Sequence, residues 1–249
     1  MTPPTLSITR EILRVYDQRF LDVEPPVRRK LAVATKSMLD GLLTDDVRRG
    51  LAEPHRLRAF CIENDLHDEL ERLIADEAAG RREGAVVVGG RVYAVYPYLR
   101  GVPRQDADIT AEVGVDHRLD ALAWDKTGRL KVKGAAGIAR VEARGPAVTL
   151  ILAAGEAEHR FPVTPADGGF EALVEIPPGG PWNFRVEVSV LGVTRTAPFG
   201  SVRHADFKEP KMREGFTLRL DGCLEVASEG SAAPAGKRRF WEFRRASQG

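Results

Sequence analysis

The side chains that could do covalent chemistry are few and far apart in this sequence. The only cysteines are Cys61 and Cys223, and Cys61 has a histidine six residues away on each side, His55 and His67. This is the one nearby pairing of a nucleophile with a base. On a continuous helix six residues leave side chains about 120° apart, so neither histidine would face the thiol. Because Cys61 also lies on an apolar stripe, where free cysteine is usually inert, the sequence does not favour nucleophilic catalysis.

Motifs for metal and phosphate binding are also weak. The five histidines show neither HxH nor HExxH spacing, and neither GxGxxG nor GxxxxGK[ST] occurs among the 24 glycines. Asp106-Ala-Asp108 matches the DxD pattern that holds a divalent metal in many nucleotide-sugar transferases. A polar loop at 101–105 precedes it instead of the buried strand that such carboxylates need, so we interpret this match as accidental. We expect no catalytic residue, no metal and no cofactor.

Aromatic side chains offer a candidate glycan site. Tyr96, Tyr98, Trp124 and Trp182 could form the flat platform that sugar-binding β-sandwiches use, because a ring matches the apolar face of a pyranose. Tyr96 and Tyr98 share a strand parity if the backbone stays extended past Pro97. The alternative is that these rings fill a core, which the position of Trp182 at the start of an alternating strand favours.

The carboxyl-terminal residues combine cations with aromatic rings. A Gly-, Ala- and Pro-containing stretch at 230–236 has the composition of a linker, and the charged segment after it could stack on bases or lie on an anionic membrane surface. We predict a flexible linker and partner-binding tail at 228–249; the alternative is a segment that docks on its own helical domain. The predicted tail residues are Arg238, Arg239, Phe240, Trp241, Phe243, Arg244 and Arg245.

Composition limits the partners and the location. The 37 Lys and Arg residues nearly cancel the 36 Asp and Glu residues, which removes the global positive field of a DNA-binding protein. Arg outnumbers Lys 29 to 8, a bias that we attribute to genome base composition. No apolar run approaches the ~20 residues needed to cross a bilayer. We expect a cytoplasmic protein, peripheral at the inner face of the membrane if its tail makes a weak contact there, and no DNA partner.

The first 84 residues carry helical periodicity. Pro25 and Pro26 suit the first turn of a helix, and Asp65 is positioned to cap the last one. The spacing predicts a helical bundle over 1–84, in which the apolar stripes of amphipathic helices face a core. One such stripe comprises Val27, Leu31, Ala34, Met38 and Leu42.

After residue 84 the apolar period changes to two. Gly89-Gly90 predicts a hairpin turn within a hairpin and connector at 85–105. Seven or eight strands, beginning at 109–115 and separated by turn-forming strings, predict an immunoglobulin-like β-sandwich over 106–227. The predicted fold class is therefore α+β, an N-terminal helical bundle followed by an antiparallel immunoglobulin-like β-sandwich.

Several stretches resemble one known family. Residues 39–66 look like the helical segment that follows the catalytic domain in bacterial family 2 glycosyltransferases of cell-envelope polymers such as teichoic acids. WDKTGRLKVKG at 124–134, GFEALVEI at 169–176 and WNFRVEVSVLGVTR at 182–195 are similar to strings in the immunoglobulin-like carboxy-terminal domain of those enzymes. The resemblance spans about residues 10–227 and rests on packing motifs, not on catalytic signatures.

The resemblance implies an accessory role. The nucleotide-sugar-binding domain of that family has no counterpart in this sequence, so no catalytic residue carries over. What it implies is self-association, often as trimers, or the positioning of an acceptor polymer for a glycosyltransferase catalytic partner. The alternatives are a free-standing adaptor that binds a protein through its sandwich or helical face, and an enzyme with its own cleft between the helical and sandwich domains.

Overall fold

The computed structural model describes residues 4–211 and 213–228, and the tail residues predicted from Arg238 to Arg245 lie outside this range. The described chain combines helices with antiparallel sheets, as the predicted α+β class requires. None of the helices in these residues is long and apolar enough to cross a membrane. The helices are α1 (Pro4–Arg14), α2 (Gln18–Leu21), α3 (Pro25–Leu39), α4 (Asp45–Gly50), α5 (Glu53–Glu63), α6 (His67–Ala78) and α7 (Arg104–Ala107).

The strands form three sheets within the described residues. They are β1 (Ala85–Val88), β2 (Arg91–Ala94), β3 (Val115–Trp124), β4 (Leu130–Ile138), β5 (Ala147–Ala154), β6 (Ala157–Pro162), β7 (Thr164–Ala166), β8 (Gly169–Val174), β9 (Trp182–Val190), β10 (Val193–Pro198), β11 (Phe216–Arg219) and β12 (Glu225–Ser228). The hairpin β1–β2 forms a two-stranded sheet. A four-stranded sheet has the order β3-β4-β8-β7. A six-stranded sheet has the order β11-β12-β9-β5-β6, and β10 pairs with β9.

The sequence predicted the hairpin correctly but placed the next strand too early. Gly89 and Gly90 have positive φ, as a tight turn between β1 and β2 requires. The segment expected to be a strand at 109–115 instead forms a turn, because the carbonyl of Ile109 accepts the N–H groups of Glu112 (2.9 Å) and Val113 (3.0 Å). The strand begins only at Val115.

The chain divides into two compact units built from separated stretches, whereas the sequence analysis divided it into consecutive ranges. Within the described residues, unit 1 comprises 4–116, 136–148 and 187–197, and unit 2 comprises 117–135, 149–186, 198–211 and 213–228. Buried residues of the helical cluster in unit 1 include Leu13, Tyr16, Leu39, Leu57, Cys61, Leu70 and Ile74. Those of unit 2 include Leu119, Leu130, Val132, Phe170, Phe184, Phe199 and Leu224.

The caps of the helices differ in part from the prediction. The prolines at 25 and 26 do begin α3. Asp65, however, does not cap α6, which begins at His67 without a side-chain cap. Asp65 has a φ of 56°, and its carboxylate lies 2.5 Å from Lys36 Nζ. The turn after α5 needs one left-handed residue, a conformation that aspartate tolerates better than most side chains.

The predicted apolar stripe of α3 faces solvent in unit 1. Val27 is 43% exposed, Leu31 44% and Met38 57%, and Ala34 is exposed as well. The buried face, with Ala32, Thr35 and Leu39, lies about 100° away around the helix. Ala32 and Thr35 have small side chains, which let α3 pack closely against α5. Both faces of α3 satisfy a helical period, so periodicity could not decide between them.

Gly134 in β4 predicts a difference between two substitutions in one strand. A Cβ at Gly134 would lie 2.5 Å from the carbonyl oxygen of Arg118 and 2.8 Å from the Phe199 ring, whereas Gly137 has nothing within 4 Å. We expect Gly134→Ala to lower the free energy of unfolding by ~1–3 kcal/mol through overpacking, measured by urea denaturation. Gly137→Ala is the matched control and should not destabilise the protein. Equal effects of the two substitutions would contradict this explanation.

Candidate functional site in unit 1

Buried charges in unit 1 surround the segment that carries the DxD match. Arg48 Nη1 lies 3.1 Å from Asp106 Oδ2, and Arg48 Nη2 lies 2.6 Å from Glu63 Oε1. Asp106 is fully buried, and this burial raises the pKa of its carboxyl although Arg48 opposes the shift. Both Asp106 oxygens face Arg48, so the side chain is committed to an ion pair.

Asp108, the second carboxylate of the match, is also committed. It accepts hydrogen bonds from the backbone N–H (2.9 Å) and hydroxyl (2.5 Å) of Thr110 and from Arg91 Nη1 (2.8 Å). Burial acts to raise the pKa of Asp108, but the bonds from Thr110 and Arg91 hold it below its usual value. Within 4–211 and 213–228, no group of three or more His, Cys, Asp or Glu residues could hold a metal ion.

The buried side chain of Arg56 holds residues 106–112 in place. Its side chain is only 4% exposed and donates to the carbonyls of Leu51, Asp106 and Asp108. Its Nη2 atom also lies 2.8 Å from Glu112 Oε1. The other oxygen of Glu112 accepts the backbone N–H of Glu53 (2.9 Å), at the first residue of α5. One guanidinium therefore joins the start of α5 to residues 106–112.

The two tyrosines predicted for a glycan platform lie together in unit 1. Their rings meet edge to face at 5.9 Å between centroids, and both pack against the helical core. The Tyr96 hydroxyl donates to Glu53 (3.0 Å), whose other oxygen pairs with Arg140 (2.7 Å). The Tyr98 hydroxyl donates to Asp76 (3.1 Å). Burial raises the pKa of both phenols. The rings are half-buried, and their hydroxyl groups are occupied.

The two tryptophans predicted for the same platform lie in unit 2. Trp182 is 5% exposed, its indole N–H donates to the Pro177 carbonyl (3.1 Å), and its ring packs edge-on against His159. Trp182 is thus a buried residue of unit 2. Trp124 is half-buried and packs on Phe216 at 4.8 Å between ring centroids. The four aromatic residues therefore belong to two separate units.

Cys61 offers no nucleophile at neutral pH. Its side chain is fully buried, and burial raises the pKa of the thiol to about 12. Burial and the nearby Arg58 and Arg10 cations lower the pKa of His55. The two side chains thus favour their neutral forms.

A feature that the sequence analysis did not predict is a cleft of about 950 Å³ on unit 1, which we call the arginine cleft. Its cations come from α1, α4, α5, β2 and β10, elements that are far apart in the sequence. No local motif could reveal this convergence, because tertiary structure alone brings these side chains together. The charged side chains that line the cleft are Arg10, Arg49, Arg56, Arg91, Arg195, Asp108 and Glu112.

Comparison with known proteins identifies a shared fold. No protein-family model and no curated protein matches this chain. A crystal structure of S. aureus TarS 217–571 matches over 89% of this chain and 68% of that chain, with a TM-score of 0.53 and 10% sequence identity. A second S. aureus TarS structure matches over 84% of this chain and 40% of that chain, with a TM-score of 0.41 and 11% identity, too low a score to show a shared fold. The chain therefore has a TarS-like fold.

The buried position of Arg56 predicts a large stability loss on its removal. Arg56→Met would leave the Glu112 carboxylate and three carbonyls without their donor. We expect a decrease of ~3–5 kcal/mol in the free energy of unfolding, measured by chemical denaturation. Arg14→Met is the control, since Arg14 is exposed and pairs only with Glu11. Similar losses for the two variants would show that Arg56 has no special role.

The lowered pKa of His55 predicts a pH dependence of stability. In the unfolded chain a histidine binds a proton at a pKa of ~6.5, whereas folded His55 binds it only at lower pH. Below about pH 6.5 the unfolded state therefore binds more protons, and the free energy of unfolding should fall as the pH falls. His55→Gln should reduce this slope in denaturation measured from pH 7 to pH 5, and His204→Gln serves as an exposed control. An unchanged slope in His55→Gln would refute the assignment.

Proposed function

We propose that this chain is a non-catalytic accessory module of a polymer-directed glycosyltransferase, acting in oligomerisation or acceptor-polymer positioning. Its fold resembles that of TarS, a teichoic-acid glycosyltransferase. We also propose that the helices of the first 84 residues form a bundle and that the strands of 106–227 form an immunoglobulin-like sandwich. The carboxylates of the DxD match support a non-catalytic role, because both are engaged within unit 1.

The observation that carries this proposal is the exposed apolar stripe of α3. Val27, Leu31, Ala34 and Met38 follow one another at helical spacing on one face of a 15-residue helix. Burying such a stripe against another surface contributes ~25 cal/mol per Å² of apolar area. Soluble proteins rarely leave contiguous apolar faces unused, so the stripe fits a contact with another copy of this chain or with a catalytic partner.

A second candidate function rests on the same stripe. A free-standing adaptor would use the helical face to bind an unrelated protein, and nothing about α3 requires the partner to be a glycosyltransferase. Affinity capture separates these functions, because recovery of a sugar transferase supports the first and recovery of an unrelated protein the second. The cytoplasmic location, the membrane-surface contact of the tail, the absence of a DNA partner and the glycan platform of Tyr96, Tyr98, Trp124 and Trp182 stay predictions.

The oligomerisation proposal predicts a change of mass on mutation of the stripe. We expect the full chain to associate in light scattering at high concentration, and Leu31→Glu with Met38→Glu to abolish this association because it places charges in the contact. Val33→Glu is the matched control, since Val33 is 55% exposed on α3 but lies about 120° away from the stripe. It should leave the mass unchanged.

Acceptor positioning is measured separately from self-association. We expect the full chain to bind a teichoic-acid polymer in a sedimentation assay, and the Leu31→Glu, Met38→Glu variant to keep this binding if the stripe serves only self-association. A strict monomer that also fails to bind the polymer would remove both activities and the proposal with them.

A further inference from the structure

The arginine cleft carries more positive charge than its own carboxylates balance. Five arginines and two acids line it, and both acids are already fully engaged. One oxygen of Glu112 faces Arg56, and the other accepts the N–H of Glu53. Asp108 is held by Thr110 and Arg91. The two carboxylates that line the cleft therefore pair with none of Arg10, Arg49 and Arg195.

Two of these three arginines have no carboxylate partner among the described residues, and the third has an exposed one. Arg195 donates to the carbonyls of Thr110, Val113 and Thr194, which carry no net charge, and it makes no ion pair among the described residues. Arg10 is exposed and likewise has no ion pair within 4–211 and 213–228. Among the described residues, the one ion pair of Arg49 is with Asp46, and both side chains are largely exposed; its Nε also donates to the Asp45 carbonyl. Such a pair contributes little and can be exchanged for a ligand.

A second observation places an unsatisfied polar group in the wall of the cleft. His55 lines the cleft, and its Nδ1 atom is buried with no hydrogen-bond partner among the described residues. Burial is the main cause that lowers the pKa of His55; Arg58 and Arg10 act in the same direction, and Glu77 and Glu11 oppose them. Buried polar atoms without a partner are rare and call for an explanation such as a ligand or an ordered water.

We propose that the arginine cleft is a binding site for a phosphate-bearing anion. Guanidinium groups offer paired donors that match phosphate oxygens, and a phosphate group accepts from several of them at once. A phosphate monoester carries about −1.5 to −2 charge at neutral pH and therefore offsets more of this positive charge than a carboxylate does. The site goes beyond the accessory role proposed above and does not depend on it.

The size and lining of the cleft indicate that the ligand is larger than an inorganic anion. About 950 Å³ lies at the upper end of small-molecule sites in proteins. Besides the charged groups, the wall contains Leu51, Ala52 and Ala111, which offer apolar contact, and Gln105, which offers an amide. These residues fit an organic group attached to the phosphate, so the ligand class is an organic phosphate, either a monoester or a diester.

Calorimetric titration of the full chain tests the ligand class. The probes are inorganic phosphate, glycerol 3-phosphate, glycerophosphoglycerol as a phosphodiester, and acetate. We expect at least one organic phosphate to bind saturably and more tightly than inorganic phosphate, and acetate to bind ~10-fold more weakly or not at all. Tighter binding of glycerol 3-phosphate identifies the ligand as a phosphate monoester, and tighter binding of glycerophosphoglycerol identifies it as a diester. Acetate binding as tight as phosphate binding, or no saturable binding of any phosphate probe, would overturn the proposal.

Substitutions at exposed arginines test the location of the site. Arg10→Gln and Arg49→Gln should each weaken binding of the preferred phosphate probe by ~10-fold, because each removes a charge-assisted hydrogen-bond donor. Arg14→Gln on the same helix as Arg10 is the matched control, since Arg14 is exposed but does not line the cleft. Thermal unfolding checks that the variants are folded. Equal weakening by Arg14→Gln, or none by Arg10→Gln and Arg49→Gln, would place binding elsewhere.

Discussion

The buried guanidinium of Arg56 is the interaction on which the architecture of unit 1 depends. A charged group inside a protein is stable only if its donors find acceptors, and Arg56 finds three carbonyls and one carboxylate. These acceptors lie at the end of α4 and in residues 106–112. The hydrogen bonds of one side chain therefore hold together two backbone segments that are about fifty residues apart in the sequence. Because Glu112 is held by Arg56, it can also accept from the first N–H of α5.

The need of a buried charge for a partner also divides the charged side chains of unit 1 into two groups: those with buried partners and those that could contact a ligand. Asp106, Glu63 and Glu53 are saturated by Arg48 and Arg140, and such groups maintain the fold. The arginines at the mouth of the cleft face carbonyls, solvent or an exposed carboxylate instead. Some arginines of unit 1 thus stabilise the fold through buried ion pairs, and others line the cleft without a buried carboxylate partner. Only their partners in the structure distinguish the two groups.

Helices and strands were predicted from the sequence more accurately than the helix faces that are buried or the distant side chains that meet in the cleft. The α+β class and the hairpin at Gly89-Gly90 follow from local periods and turn chemistry, which act over a few residues. The stripe of α3 was assigned to the wrong side because the buried face is made of small residues such as Ala32. The arginine cleft escaped prediction because its members lie between residues 10 and 195, and proximity of that kind is created by tertiary structure alone.

The separated stretches of unit 1 have a consequence for synthesis on the ribosome. Amino-terminal segments generally begin to fold while translation continues. Arg140 and Arg195 belong to unit 1, yet they are synthesised long after their partners Glu53, Thr110 and Val113. The ion pair between Glu53 and Arg140 and the hydrogen bonds from Arg195 to the Thr110 and Val113 carbonyls can therefore form only after the later stretches have been made.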